Sequence, residues 1–179
     1  MTLSPRAVTR QLALVHGLIH SYMLLLPALV GLLAIEFAVS EARVNTVGNL
    51  HYLAFGLGAV PAGLWADRFG SRRVLLVCLA GCAISGVLVA SANHFAQLTV
   101  GMVGLGAAAS LYHPAGLATL SRLTDTTALG RALGVHGIGG NSGEALAPAA
   151  AAFLAALYSW RWPFVLVAGS AALLFVSVV

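Results

Sequence analysis

Few side chains in this sequence can take part in chemistry, and most of them lie inside long apolar stretches. Glu144 is the one acid near the middle of such a stretch. An ionised carboxylate at the centre of a bilayer costs on the order of 3 kcal/mol even on lenient insertion scales. A carboxyl there either exchanges protons or is a structural group bonded to Asn141, His136 or a backbone carbonyl. His16 and His20 are four residues apart, so on a helix they share one face, and His20 falls near the depth of Glu144. Histidine is the side chain best suited to proton transfer near neutrality, and several converging inside a membrane imply a wet cavity. His20, His113, Asn141 and Glu144 are expected to line that cavity, with His136 beside them. His51 lies nearer the end of its stretch, and His94 reads as an interfacial loop residue. Six histidines also raise the question of a metal. Metal ligands must meet at one depth, and the positions of His51, His94 and His113 are not expected to do so. No metal centre and no cofactor is expected.

The elements that must position these residues follow from composition. Of 179 residues, 60% are hydrophobic and 8% charged, with a mean hydropathy of +0.95. A soluble domain keeps roughly a quarter of its residues charged, so the exterior of this chain must face lipid. A helix crossing a hydrocarbon core about 30 Å thick needs about 20 residues. Six segments meet that length, at Gln11 to Glu36, Asn45 to Ala66, Val74 to Ala92, Ala96 to Leu120, Gly130 to Tyr158, and Trp162 to Val179. They lack the alternation of barrel strands, and in lipid a helix is the remaining way to satisfy the backbone. The fold class expected is an all-α membrane protein, one domain of six transmembrane helices over residues 1–179. The third and sixth spans carry no interior proline or ionisable residue and are expected at the periphery.

Charge sets an orientation. The formal charge of +4 comes from nine arginines against five acids, without lysine. The basic residues are spread between apolar runs, which argues against nucleic acid as a partner. With the amino terminus in the cytoplasm, Arg6, Arg10, Arg68, Arg72, Arg73, Arg122 and Arg131 lie inside, and Arg43 and Arg161 outside. Tyr158, Trp160 and Trp162 then sit at the outer interface, where aromatic belts form. Cys78 and Cys82 are one turn apart in an apolar run and read as packing residues.

Small residues spaced by four predict close helix packing at Gly58 with Ala62, Gly81 with Ser85, Gly130 with Gly134, and Gly139 with Gly143. Pro27, Pro61, Pro114 and Pro148 each remove a backbone hydrogen bond inside a span and permit a kink. His51 followed by Gly56, Gly58 and Pro61 parallels His136 followed by Gly140, Gly143 and Pro148. That parallel predicts two three-helix repeats, residues 1–93 and 94–179, in inverted orientation.

The loop after the second span is the most specific motif. Gly63, Ala66, Asp67, Arg68, Gly70, Arg72 and Leu75 resemble the signature of the major facilitator superfamily between its second and third helices. Trp65 stands where leucine is usual, and Ser71 where the first basic residue is. The resemblance implies that Gly63, Asp67, Arg68, Gly70 and Arg72 form a conformational latch, with Arg122 as a candidate ion-pair partner of Asp67. The stretches Ser110-Leu111-Tyr112-His113-Pro114-Ala115-Gly116 and Gly139-Gly140-Asn141-Ser142-Gly143-Glu144-Ala145-Leu146-Ala147-Pro148 are similar to the drug-efflux branch typified by fosmidomycin resistance transporters. Glu144 is unusual in that setting.

The resemblance covers all six spans and implies a bacterial-type inner-membrane protein that is no enzyme. It would be the amino-terminal half of a secondary transporter moving a small organic solute by alternating access, as proton-coupled efflux. Family members have twelve helices, so a second six-helix bundle, from another chain or another copy, is the expected partner. The rival expectation is a six-helix scaffold or regulatory half-protein that pairs with a transporter bundle. A channel would need a repeated ring or filter, and none is visible.

Overall fold

The computed structural model describes residues 4 to 178, and helices are the only regular structure among them. They are α1 (Pro5–Glu36), α2 (Glu41–Phe69), α3 (Ser71–Ala90), α4 (Phe95–Ala109), α5 (Tyr112–Leu123), α6 (Thr126–Leu157) and α7 (Arg161–Val178). Starts and stops follow local chemistry. Ser4 accepts from the Ala7 amide at 3.3 Å ahead of Pro5, and Ser40 from the Arg43 amide at 3.4 Å, so each hydroxyl satisfies an amide that has no partner in its own helix. Gly70 alone separates α2 from α3, at φ +85°, a backbone state open in practice to glycine.

These seven helices form the six expected spans, because α4 and α5 are one span bent at Ser110 and Leu111. Pro114 has no amide to offer the Ser110 carbonyl, so the ladder is interrupted there, although Ser110 and Leu111 keep helical dihedrals. Pro27, Pro61 and Pro148 lie inside continuous helices. Val179, the expected end of the sixth span, is outside the described residues. Four spans are apolar enough on length and composition alone to cross a membrane: α1, α3, the bent α4 and α5, and α7. The α2 and α6 helices, of 29 and 32 residues, are long enough but more polar.

Large apolar side chains stand on the outside, among them Ile35 at 81%, Ile84 at 70% and Leu173 at 73% exposure. Water would not tolerate such a surface; lipid does. In lipid the helices gain little from hiding apolar groups, so close backbone approach must hold them together. A Cβ at Gly81 would come 2.8 Å from that of Ala108, and one at Gly101 2.7 Å from Val89. Gly58 lies against Ser110 at the bend. Gly130 and Gly134 do not repeat this pattern: nothing lies within 4 Å of a Cβ at either, so that pair packs no neighbour in this bundle.

The third span buries Cys78, Leu79 and Cys82 on one face and leaves Val77, Ile84 and Val87 exposed on another. One further expectation is corrected. Trp160 is not an exposed belt residue. It is 5% exposed and packs edge-on against Phe37 and Phe164, while Tyr158 and Trp162 stand outside. Arg161 lies over the Trp160 ring and donates to Glu36 at 2.9 Å and to the Ala92 carbonyl at 3.0 Å. One guanidinium thus joins the ends of α1 and α3 to the start of α7.

Candidate functional site

The site is built where α1, α5 and α6 meet. Glycines decide how closely α6 lies on α1. A Cβ at Gly139 would overlap the Ala13 carbonyl, and one at Gly143 the carbonyl of Gly17. At Gly140 it would come 2.5 Å from the His16 ring, and at Gly17 2.8 Å from the Gly139 carbonyl oxygen. The Gly-Gly-x-x-Gly part of the α6 motif is therefore a packing requirement. It places His136, Asn141 and Glu144 beside the histidines of α1. His113, second residue of α5, reaches them from the bend.

His16 is the centre of the arrangement. Its Nδ1 hydrogen is donated to the His136 carbonyl at 2.8 Å, which leaves the lone pair on Nε2. That Nε2 lies 3.1 Å from Nε2 of His113, and Nε2 of His20 lies 3.4 Å from the same atom. The rings of His16 and His20 meet edge to face at 4.4 Å, as their four-residue spacing requires. On its other side His16 stacks on His136, centroids 3.9 Å apart and planes 15° apart. Tyr112 donates its hydroxyl hydrogen to the Leu12 carbonyl, so the 3.1 Å contact with His136 is a hydrogen bond donated by His136 Nε2.

Glu144 closes the site: its Oε1 is 3.0 Å from Nδ1 of His20. The contact is an ion-pair distance rather than an aligned hydrogen bond, since His20 Nδ1 has no hydrogen-bond partner of good geometry among the described residues. Glu144 is not enclosed, as mid-span placement had implied. Its side chain is 48% exposed against 19% for His20, so the pair sits at an open side of the bundle with its base inward. Its partner is neither Asn141 nor His136. Asn141 is exposed one turn from Glu144, and His136 is buried behind His16.

His113 is also corrected: it does meet other histidines at one depth. Ligand nitrogens of His16, His20 and His113 lie within 4.8 Å of one another. His16 was missed as a site residue, although its spacing from His20 signalled a shared face. His51 is buried and donates Nδ1–H to the Met102 carbonyl at 2.9 Å, bracing α2 against α4 away from this site, and His94 is exposed.

The loop motif lies elsewhere. Gly70 makes the turn, Asp67 and Arg68 are exposed, and Arg68 lies over the Phe69 ring. Arg72 donates from Nε to the Val178 carbonyl at 3.1 Å, joining the start of α3 to the end of α7. Among the described residues, ion pairs join His20 with Glu144 and Arg161 with Glu36, and none joins Asp67 to Arg122.

The sequence model of the Major Facilitator Superfamily matches residues 15–179, nearly the whole chain and every helix of the site. The chain belongs to the major facilitator superfamily. Within that superfamily it is 30% identical over 146 residues to the Multidrug resistance protein B homolog of Mycobacterium tuberculosis, covering 80% of this chain and 27% of that one. It is 26% identical over 145 residues to the Fosmidomycin resistance protein of Escherichia coli, covering 81% of this chain and 35% of that one. The chain thus spans about a third of the length of these relatives. A bacterial homolog of the human lysosomal transporter Spinster, in an inward-facing, occupied conformation, superposes on 99% of the chain with a TM-score of 0.86 at 19% identity. The chain covers 44% of that structure, so its fold is a major facilitator half-bundle.

Proposed function

We propose that this chain forms one wall of a proton-coupled exporter of small organic solutes, working by alternating access against a second six-helix bundle. The observation that carries the reading is the His20 and Glu144 pair, 3.0 Å apart, with its acid on an open side of the bundle. An acid and a base that can exchange a proton there couple proton movement to the occupancy of the space they face. His113 and Asn141 supply polar groups to that wall, and His136 holds His16 from behind. Efflux is supported by two relatives whose names refer to drug resistance. A second bundle is supported by the share of a solved transporter that the chain covers.

The loop motif completes the reading as a latch. Asp67 and Arg68 are exposed beside a turn locked by Gly70, which suits them to bind across to the other bundle in one conformation. With the amino terminus in the cytoplasm, the latch lies on the cytoplasmic side together with seven of the nine arginines.

The test uses the complete transporter reconstituted in vesicles, with fosmidomycin and ethidium as probes. Glu144→Gln is expected to abolish export driven by a pH gradient while leaving gradient-free solute exchange intact. Gradient-driven export at the wild-type rate would remove Glu144 from coupling.

A further inference from the structure

Three imidazoles meeting nitrogen to nitrogen are an unusual way to fill a membrane interior. His113 Nε2 faces Nε2 of His16 at 3.1 Å and Nε2 of His20 at 3.4 Å. His16 has its lone pair there, because its hydrogen is committed to the His136 carbonyl on the other ring nitrogen. His20 has its Nδ1 3.0 Å from the Glu144 carboxylate, an acceptor that favours the hydrogen on that nitrogen and the lone pair on Nε2. His113 can supply one hydrogen at Nε2 for two acceptors. Protein hydrogen bonds alone leave one of these three nitrogens short.

We propose that Nε2 of His16, His20 and His113 together bind a divalent transition-metal ion of the zinc class, leaving a fourth position open to water or solute. Two of the three separations fit directly, and all three nitrogens lie within 4.8 Å of one another. A tetrahedral ion with bonds of 2.0 to 2.1 Å holds its nitrogens about 3.3 Å apart, and the two direct separations bracket that value. Imidazole is a ligand suited to this class of ion. The outer partners fit as well: the far nitrogen of His16 is hydrogen-bonded to the His136 carbonyl, and that of His20 lies 3.0 Å from the Glu144 carboxylate, within reach of a hydrogen bond on a small rotation. Partners of that kind set the tautomer and orientation of metal-binding histidines, and the carboxylate offsets part of the ion's charge in a medium of low dielectric. Access is open, because His20 and Glu144 reach the exposed side of the bundle. The ligands come from α1 and α5, so a bound ion would tie the first span to the bend of the fourth.

The inference is independent of proton coupling, since ion binding needs neither gradient nor solute. The experiment is a Zn²⁺ titration of the detergent-purified chain, its polyhistidine tag removed, against a chromophoric chelator, with X-ray absorption of the zinc-loaded sample. One ion per chain is expected, with a first shell of three nitrogens at about 2.0 Å. His113→Ala and His20→Asn should each weaken binding at least tenfold, while His94→Ala and His51→Gln leave it unchanged. Glu144→Gln should weaken it about tenfold without abolishing it, as loss of an outer partner does. Retention of binding in Glu144→Gln alongside lost coupling separates the two proposals. If the ligand variants fail to fold, Co²⁺ loaded into wild-type chain gives the coordination number from its absorption spectrum. Absence of saturable binding, binding indifferent to His113→Ala and His20→Asn, or an octahedral oxygen-rich shell would each overturn the site.

Discussion

Gly143 of α6 lies directly against the main-chain carbonyl of Gly17 on α1, with no room between them for a single methyl group. Gly139 repeats the arrangement against Ala13 one turn away. This seam fixes the distance from His136 and Glu144 to the histidines of α1, because no flexible side chain lies between the two backbones to absorb an error.

Gly143→Ala is therefore expected to destabilise the bundle by about 1–3 kcal/mol, the usual consequence of overpacking a filled interface. Gly130→Ala and Gly134→Ala, whose Cβ atoms would meet nothing within 4 Å, should be neutral or slightly stabilising. Thermal unfolding in one detergent, read by the loss of helical circular dichroism, compares them directly. Equal midpoints for Gly143→Ala and Gly134→Ala would mean that the seam does not control packing.

Pro114→Ala restores an amide able to bond the Ser110 carbonyl. The fourth span should straighten and draw His113 away from His16, now 3.1 Å away. Spin labels at Val100 and Arg122, both exposed, read this as a lengthened distance between the outer parts of α4 and α5. An unchanged distribution would assign the bend to packing around Ser110 instead of to the proline.

Two glycines of the loop motif should respond differently. Gly70→Ala forces a side chain onto a backbone at φ +85° and should lose about 1–3 kcal/mol in the same unfolding assay. Gly63→Ala meets nothing within 4 Å and should leave stability unchanged while slowing transport by the complete assembly. A Gly63→Ala transporter of normal rate would confine the motif's role to the turn itself.

The fold was legible because long apolar runs separated by arginine-bearing turns have few solutions in a bilayer. Hydropathy gives a residue's depth along its span but not the direction in which it points. That is why Glu144, correctly placed within the fifth span, lies at an open side of the bundle, and why His113 joins His16 and His20 instead of standing apart. Each depended on knowing that α6 and α5 both pack on α1. The glycines of α6 carried that information, but spacing by four marked Gly130 and Gly134 as strongly as Gly139 and Gly143. Only the partner surface distinguishes the two pairs. Likewise Pro114 looked like the other three span prolines, and the interruption of the helix at its turn alone set it apart.

The enclosure of Cys78 and Cys82 has a practical corollary. Both thiols are completely shielded from solvent within the bundle, so water-soluble maleimides have no native target to modify. The unaltered chain already serves as a silent background, in which one cysteine introduced at Arg68 or Arg43 reports from which side of the membrane each turn is reached.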